Sequence, residues 1–211
     1  TISTPRKGLP SVLFVLPDLS PGGGQLLGIR MANEWVRRGG RAVLLNTRNV
    51  PDHDQVVSLI DQRVPLFHVD ELGGSFEECV RRFDIDVVQT SIWWAERYVE
   101  QWINEFPDLV WVTAMHGCHE TILGAPDTDE MFPEKVEKML GRVDHWVHTA
   151  DKNTAVFSRF GHPKSQSRIV NGVMSTKGNQ IDRQQLGIRE EAFLLCLASR
   201  AIPEKGWFAA V

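Results

Sequence analysis

The sequence predicts an α/β protein, doubly wound around a parallel sheet, and three observations carry that expectation. Apolar runs of strand length alternate with segments of helical period along nearly the whole chain. The runs are continuously hydrophobic, as in Val12–Leu16 and Ala42–Leu45, which is how strands covered on both faces read. The first run leads into Pro21-Gly22-Gly23-Gly24 and then directly into a helix-period segment. Glycines at such a bend let the backbone approach a ligand, and the helix behind them aims free N–H groups at it.

In order, a polar lead-in over 1–10 precedes a strand at Ser11–Pro17 and a helix over 25–39. Leu27, Met31, Ala32, Trp35 and Val36 share one face of that helix, and Gly39-Gly40 stops it. Ala42–Leu45 is the second buried strand, followed by a loop at 49–53, a short helix over Asp54–Asp61 and a weak strand at Leu66–Val69. Ser75-Phe-Glu-Glu78 has the capping-box pattern and opens a helix whose core stripe is Phe76, Cys79, Val80 and Phe83. Asp86–Thr90 is the next strand, and Trp94, Tyr98, Trp102, Ile103 and Phe106 are the inward face of the helix after it.

Leu109–Met115 is a strand ending in His116-Gly117, and an irregular stretch at 117–128 precedes a helix with the stripe Phe132, Val136, Met139, Leu140 and Val143. A strand at His145–Thr149, a helix over about 151–160 and a short strand at Arg168–Val170 lead to Asn171-Gly172. Residues 174–191 are polar and turn-rich, as in a linker, and Phe193–Ala198 is a further strand. The expected organisation is a first domain over 1–173, a linker over 174–191 and the start of a second domain over 192–211. A chain that begins at Thr1 and stops at Val211, inside what reads as a helix turn, is expected to be a piece of a longer protein.

A hydrophobic fraction of 42%, a charged fraction of 24% and a net charge of −4 describe an ordinary globular protein with no basic surface for nucleic acid. Three scattered cysteines suit a reducing compartment, and no apolar run approaches the ~18 residues of a membrane span. The expected location is the cytoplasm, with peripheral membrane contact as a further option.

In doubly wound sheets ligands bind outside the carboxyl ends of the strands. The residues brought there are Asp18–Gly24, Thr47-Arg48, Gln89–Trp94, His116–His119 and Asn171-Gly172. The glycine bend is either a bare tight turn or a phosphate contact. It is not a dinucleotide fingerprint, because Leu27 stands where the third glycine belongs, and it lacks the Gly-Lys-Ser/Thr of a Walker loop. His116 is open to a structural or a functional reading, as are the turn at Asn171-Gly172 and the cation pair Arg200 and Lys205. Trp93-Trp94 either packs the start of a helix or stacks against a ligand. His116-x-x-His119 beside Cys118 and Glu120 lacks a second ligand pair, so no metal is assigned to it. His145 and His148, at odd spacing, do not share a strand face and are assigned to the core.

Several of these stretches carry a family resemblance. Gly22-Gly-Gly-Gln25, a helix and Arg38-Gly-Gly-Arg-Ala-Val-Leu-Leu45 resemble the G-G-A-E, helix, R-G-H-E-V-x-V-L opening of the family-4 ("group 1") retaining glycosyltransferases. Asp86-Val-Val-Gln-Thr90 is similar to that family's D-V-V-H-T/A-H, and Val112-Thr-Ala-Met-His-Gly117 to its V-x-T-x-H-G. Val143–Ala150 looks like the strand ending I-x-V-S, and Ile169-Val-Asn-Gly-Val173 like I-P-N-G-V-D. Leu197-Ala-Ser-Arg-Ala-Ile-Pro-Glu-Lys-Gly206 resembles the G-R-x-x-P-E-K-G that opens the second domain. The chain departs from the pattern at Gln25 for the acid, Gln89 for a histidine, Ala150 for the serine, Met174 for the aspartate and Ser199 for a glycine.

The resemblance implies a GT-B architecture of two Rossmann-like domains, of which this chain holds the N-terminal, acceptor-side one and the first strand of the nucleotide-sugar domain. It implies transfer of a sugar from a nucleoside diphosphate to a saccharide, lipid-linked or small-molecule acceptor, with retained configuration and no obligatory metal or cofactor. Gly22, Gly23 and Gly24 would then lie under the diphosphate, His116 would meet the transferred sugar, and Arg200 and Lys205 would clamp the diphosphate. Gln89, Trp93 and Asn171 become candidate acceptor or sugar contacts. The isolated chain, lacking most donor-binding residues, is expected to be inactive alone. The alternatives are a GT-B-like binding module without chemistry, or another GT-B enzyme such as a nucleotide-sugar epimerase or a phosphorylase.

Overall fold

A computed structural model describes residues 8–71, 74–91, 93–116, 138–170, 172 and 182–193, with the backbone alone at Trp93. Seven parallel strands form one sheet in the order β3-β2-β1-β4-β5-β6-β7. They are β1 (Ser11–Leu16), β2 (Arg41–Asn46), β3 (Leu66–His68), β4 (Val87–Thr90), β5 (Val110–Met115), β6 (His145–His148) and β7 (Gln166–Arg168). The helices among the described residues include α1 (Gly23–Arg37), α2 (Asp54–Val57), α3 (Phe76–Phe83), α4 (Trp93–Trp102) and α5 (Ala155–Phe160), and residues 138–142 are also helical. The chain divides into two compact units, Thr1–Asn171 and Gly172–Val211. The sheet lies in the first. In the second, a short 3-10 turn at Gln184–Leu186 falls within the stretch read as linker.

Strand β1 is buried along its entire length and pairs with β2 on one side and β4 on the other. Its alternating side chains feed two separate cores. Val12, Phe14 and Leu16 pack with Ile29, Ala32 and Val36 of α1 and with Ala42 and Leu44. Leu13 and Val15 face the other layer, built from α3, α4, the 138–142 helix and α5 around Trp111 and Trp146. This two-sided burial is why the strands read as unbroken apolar runs.

The capping box at Ser75 is complete: the Ser75 hydroxyl accepts the Glu78 amide, and the Glu78 side chain accepts the Ser75 amide. Phe76, Cys79, Val80 and Phe83 are all buried as the stripe requires. Burial pushes the Cys79 thiol up to about 11, so it stays protonated and unreactive.

Elsewhere the structure corrects the sequence reading. Helix α1 starts at Gly23, not Gln25, so the bend contains only Gly22 in extended conformation while Gly23 and Gly24 are already helical. On α4 the buried residues are Ala95, Glu96 and Val99, with Ile103 just beyond, whereas Trp94 and Trp102 are 44% and 39% exposed. The small residues let α4 lie close to the sheet, and the indoles are too large for that interface. The last strand of the sheet is Gln166–Arg168 rather than Arg168–Val170, leaving Ile169 and Val170 exposed. His145 sits half-exposed with its ring nitrogens on Ser165 and Ser167, while His148 is buried. Of the strand expected at Phe193–Ala198 only Phe193 is described, and it is exposed; the rest of it, the loop at 117–128 and most of the helix before Val143 lie outside the described residues.

Two substitutions test these packing statements. Ser75→Ala should lower stability by about 1 kcal/mol through loss of the cap, read as a lower denaturation midpoint with an unchanged slope. Gly28→Ala raises helix propensity by up to ~1 kcal/mol. A Cβ there lies 2.7 Å from Cδ2 of fully buried Leu16, however. Overpacking of roughly 1–3 kcal/mol should win, and a higher midpoint for this variant would refute the close α1–β1 contact.

Candidate active site at the carboxyl edge of the sheet

The strand order reverses between β1 and β4, so the crevice of this sheet opens above their carboxyl ends. The glycine bend follows β1, Gln89–Ser91 ends β4, and His116 follows β5 immediately. All three stand on one edge of one parallel sheet, with only β4 between the bend and the histidine.

Helix α1 makes its first backbone bond from Leu26 N to Gly22 O, no side chain caps its N-cap residue, and its first turn holds no acid. The amides of Gly23, Gly24 and Gln25 therefore face the edge with the positive end of a 15-residue helix behind them. The loop below is tied by Asp18, whose Oδ1 accepts from Ser20 N (2.9 Å), from the Ser20 hydroxyl and from Gln25 Nε2 (2.9 Å). Burial pushes the Asp18 carboxyl up, but the Ser20 and Gln25 hydrogen bonds and the Arg48 charge outweigh it and hold it below its ordinary value. The amide at 25 thus has a local reason: it donates to Asp18, where a glutamate would set two carboxylates together.

His116 is half-buried, and the carbonyl just before it is pinned. Asn153 Nδ2 donates to Met115 O at 3.0 Å, and Asn153 is itself fully buried in the turn after β6. Burial lowers the His116 imidazole below its ordinary value of 6.5, against the opposing pull of the Glu96 charge, so the ring is neutral at pH 7. Glu96 is 1% exposed and terminates a chain of donors: Trp111 Nε1 to Thr90 Oγ1 (3.1 Å), Thr90 Oγ1 to Thr113 Oγ1 (2.9 Å), and Thr113 Oγ1 to Glu96. That chain ties β4, β5 and α4 together directly beneath the edge. Nothing in the spacing of the sequence marked Glu96 or Asn153. A carboxylate beside the buried face of α4 was the signal available.

Gln89 is 4% exposed, and its Nε2 donates to Thr90 O and Ser91 Oγ. Its Oε1 is a buried acceptor without a partner among the described residues, at the tip of β4. Trp93 opens α4. Asn171, Arg200, Lys205 and His119 lie outside the described residues. Among those described, no group of three or more His, Cys, Asp or Glu is placed to hold a metal, and no helix is long and apolar enough to cross a membrane.

No protein-family model matches the chain, and no curated protein matches it in sequence. Solved structures match it in fold. Anabaena Alr3699/HepE in complex with UDP-glucose superposes with a TM-score of 0.60 at 18% identity, over 84% of this chain and 50% of that one. An alpha-glucosyltransferase in complex with UDP and a DNA containing a HMU base gives 0.53 at 11% identity, over 76% and 42%. Sucrose-phosphate synthase from Thermosynechococcus elongatus gives 0.53 at 14% identity, over 78% and 48%. The chain therefore has the Rossmann-like architecture found in these GT-B glycosyltransferases, and it spans about half the length of each. One of the three holds DNA, so the expected lack of a nucleic-acid partner draws no support from them.

The electrostatics make a direct prediction. Glu96→Gln removes the charge that raises His116, so its pKa should fall further below 6.5 in an NMR titration of the ring. An unchanged or higher value would show that the imidazole does not sense the carboxylate. Because burial depresses this group, its contribution to stability is present above the unfolded-state pKa and is lost as the pH falls through the folded-state value.

Proposed function

We propose that this chain forms the acceptor-side half of a retaining glycosyltransferase of the family-4 type, one that moves a sugar from a nucleoside diphosphate to an acceptor. The observation that carries the reading is the pairing, on one carboxyl edge at the switch point, of an uncapped helix N-terminus with a neutral imidazole. Sugar transfer from a nucleoside diphosphate passes through an oxocarbenium-like state in which the diphosphate departs with growing negative charge. Preorganised N–H groups stabilise that charge more than they stabilise the bound donor. Gly23, Gly24 and Gln25 supply such groups, whereas the Gly22 amide is already donated to Ser20 O. A neutral His116 can accept or donate a hydrogen bond at the reacting sugar without placing a second cation beside the oxocarbenium. Gln89 Oε1 offers an acceptor for a sugar hydroxyl.

Arg200 and Lys205 take the role of diphosphate clamp in this reading, and no metal is required. The fold shared with glycosyltransferases solved with UDP and UDP-glucose supports the proposal. A cytoplasmic location and inactivity of the chain alone belong to the same reading.

The test uses the full-length protein that carries this chain. Calorimetry against nucleotide sugars should find one that binds, and NMR of the product should show the donor's anomeric configuration retained, with the rate unchanged by EDTA. His116→Ala should lower turnover roughly a hundredfold or more while donor binding changes little. An inverted product, or a His116→Ala variant with full turnover, would remove retention or the histidine's role respectively. Donor binding without any transfer would favour a non-catalytic module.

A further inference from the structure

Beside the glycine bend, Asp18 and Arg48 face each other across a gap that neither of them closes. Asp18 lies two residues past β1 and Arg48 two past β2, and the register sets Leu16 opposite Asn46, so both loops leave the carboxyl edge side by side. The donors to Asp18 are the Ser20 amide, the Ser20 hydroxyl and Gln25 Nε2, and all of them go to Oδ1. Oδ2 accepts no hydrogen bond among the described residues, although the side chain is only 13% exposed. It stands 3.8 Å from Arg48 Nη1, close enough for attraction but beyond hydrogen-bond reach.

The Arg48 side of the gap is held from other directions. Thr47 donates its amide and its hydroxyl to Leu16 O, and Arg48 donates its amide to Asn46 Oδ1 at 3.2 Å, which fixes the backbone that carries the guanidinium. The guanidinium itself rests 5.9 Å from the Trp94 ring centroid. The same ring meets Arg97 at 5.4 Å, so Trp94 is a positioning residue here and no free stacking face is assigned to it. The Arg48 side chain remains 51% exposed, and its guanidinium makes no hydrogen bond among the described residues.

A single hydroxyl suits this gap. It gives its proton to the carboxylate oxygen and accepts from the guanidinium, and one oxygen at ordinary hydrogen-bond distance from both bridges the 3.8 Å between them. A phosphate suits it poorly, because its oxygens stand against the Asp18 charge and, as a dianion, it has no proton for Oδ2. We infer that Asp18 Oδ2 and Arg48 hold one hydroxyl of a neutral sugar or cyclic polyol acceptor. The hydroxyl site stands on the geometry of the pair, and its assignment to the acceptor rests on the transfer reading above.

Calorimetry on the full-length protein with UDP saturating tests it, with the methyl α-glycosides of glucose, mannose and galactose and with myo-inositol as probes. At least one should bind, and among its monodeoxy derivatives one should bind at least about tenfold more weakly, since it leaves a shielded carboxylate oxygen without a donor. Asp18→Asn and Arg48→Ala should each weaken the parent compound by a similar factor and leave that one derivative nearly unchanged, a coupling that a purely structural role would not produce. Arg48→Gln, which keeps a donor, should recover part of the loss. Thermal melts confirm folding, and UDP affinity should hold in Arg48→Ala. Added salt should change the binding of the neutral probe little.

Failure of all four probes to bind overturns the site. So does an equal loss for the parent and every deoxy derivative in both variants, or a phosphorylated sugar that binds tighter than its parent through Arg48. A fall in UDP affinity in Arg48→Ala overturns the acceptor assignment, because the pair then serves the donor. A single-hydroxyl preference that depends on both residues in a protein unable to bind any nucleotide sugar would sink the transfer reading and leave the hydroxyl site standing.

Discussion

The site depends on one constraint, the burial of β1 on both faces and its pairing on both sides. A strand so enclosed cannot slip, because moving it by one residue would exchange the side chains of two different cores. Its end is therefore a fixed point in the molecule, and the chain leaving it must turn at once to enter α1. The β1–β2 register sets Leu16 opposite Asn46, and the β1–β4 register sets Phe14 opposite Gln89. These pairings bring the glycine bend, the Arg48 loop and the tip of β4 to one rim before any ligand is present. Gly28 against Leu16 sets how closely the helix behind the bend can approach.

The two edges of the sheet are built differently. At the amino edge, polar groups are consumed by structure: Asp86 accepts the Ser11 amide and Asp144 accepts the Trp111 amide. The Arg142 guanidinium there gathers the carbonyls of Phe106 and Leu109. At the carboxyl edge the first-turn amides of Gly23 and Gly24 are not capped by a side chain, and the Gln89 Oε1 has no hydrogen-bond partner among the described residues. The buried run from Trp111 through Thr90 and Thr113 to Glu96 supports that rim from beneath, with every hydroxyl both receiving and donating.

Elements whose signals are local were legible from the residues. The Ser75 box and the stripe after it involve contacts within two turns, so spacing alone defines them. The buried strands were legible because continuous apolar runs have few other uses in a chain of this charge. On α4 residue size is a poor guide to burial: the sheet below selects Ala95 and Val99 for close approach and turns Trp94 outward. The start of α1 was misread because glycines, poor helix formers in isolation, are tolerated in a first turn that packs against a fixed strand.

Of the site, residue types and strand ends were readable from the chain, and their mutual placement was not. By itself the sequence determined the alternation of strand and helix, the parallel sheet that follows from it, and the presence of Gly22–Gly24, Gln89 and His116 at strand ends. Only the tertiary structure decided that Gln25 serves Asp18, that Asn153 pins the carbonyl before His116, and that Arg48 and Arg97 meet at Trp94. The reason is range. Periodicity records which face of its own element a residue occupies, while a contact such as Asn153 to Met115 or Arg48 to Trp94 joins elements separated by tens of residues and exists only once the sheet has set their strand ends side by side.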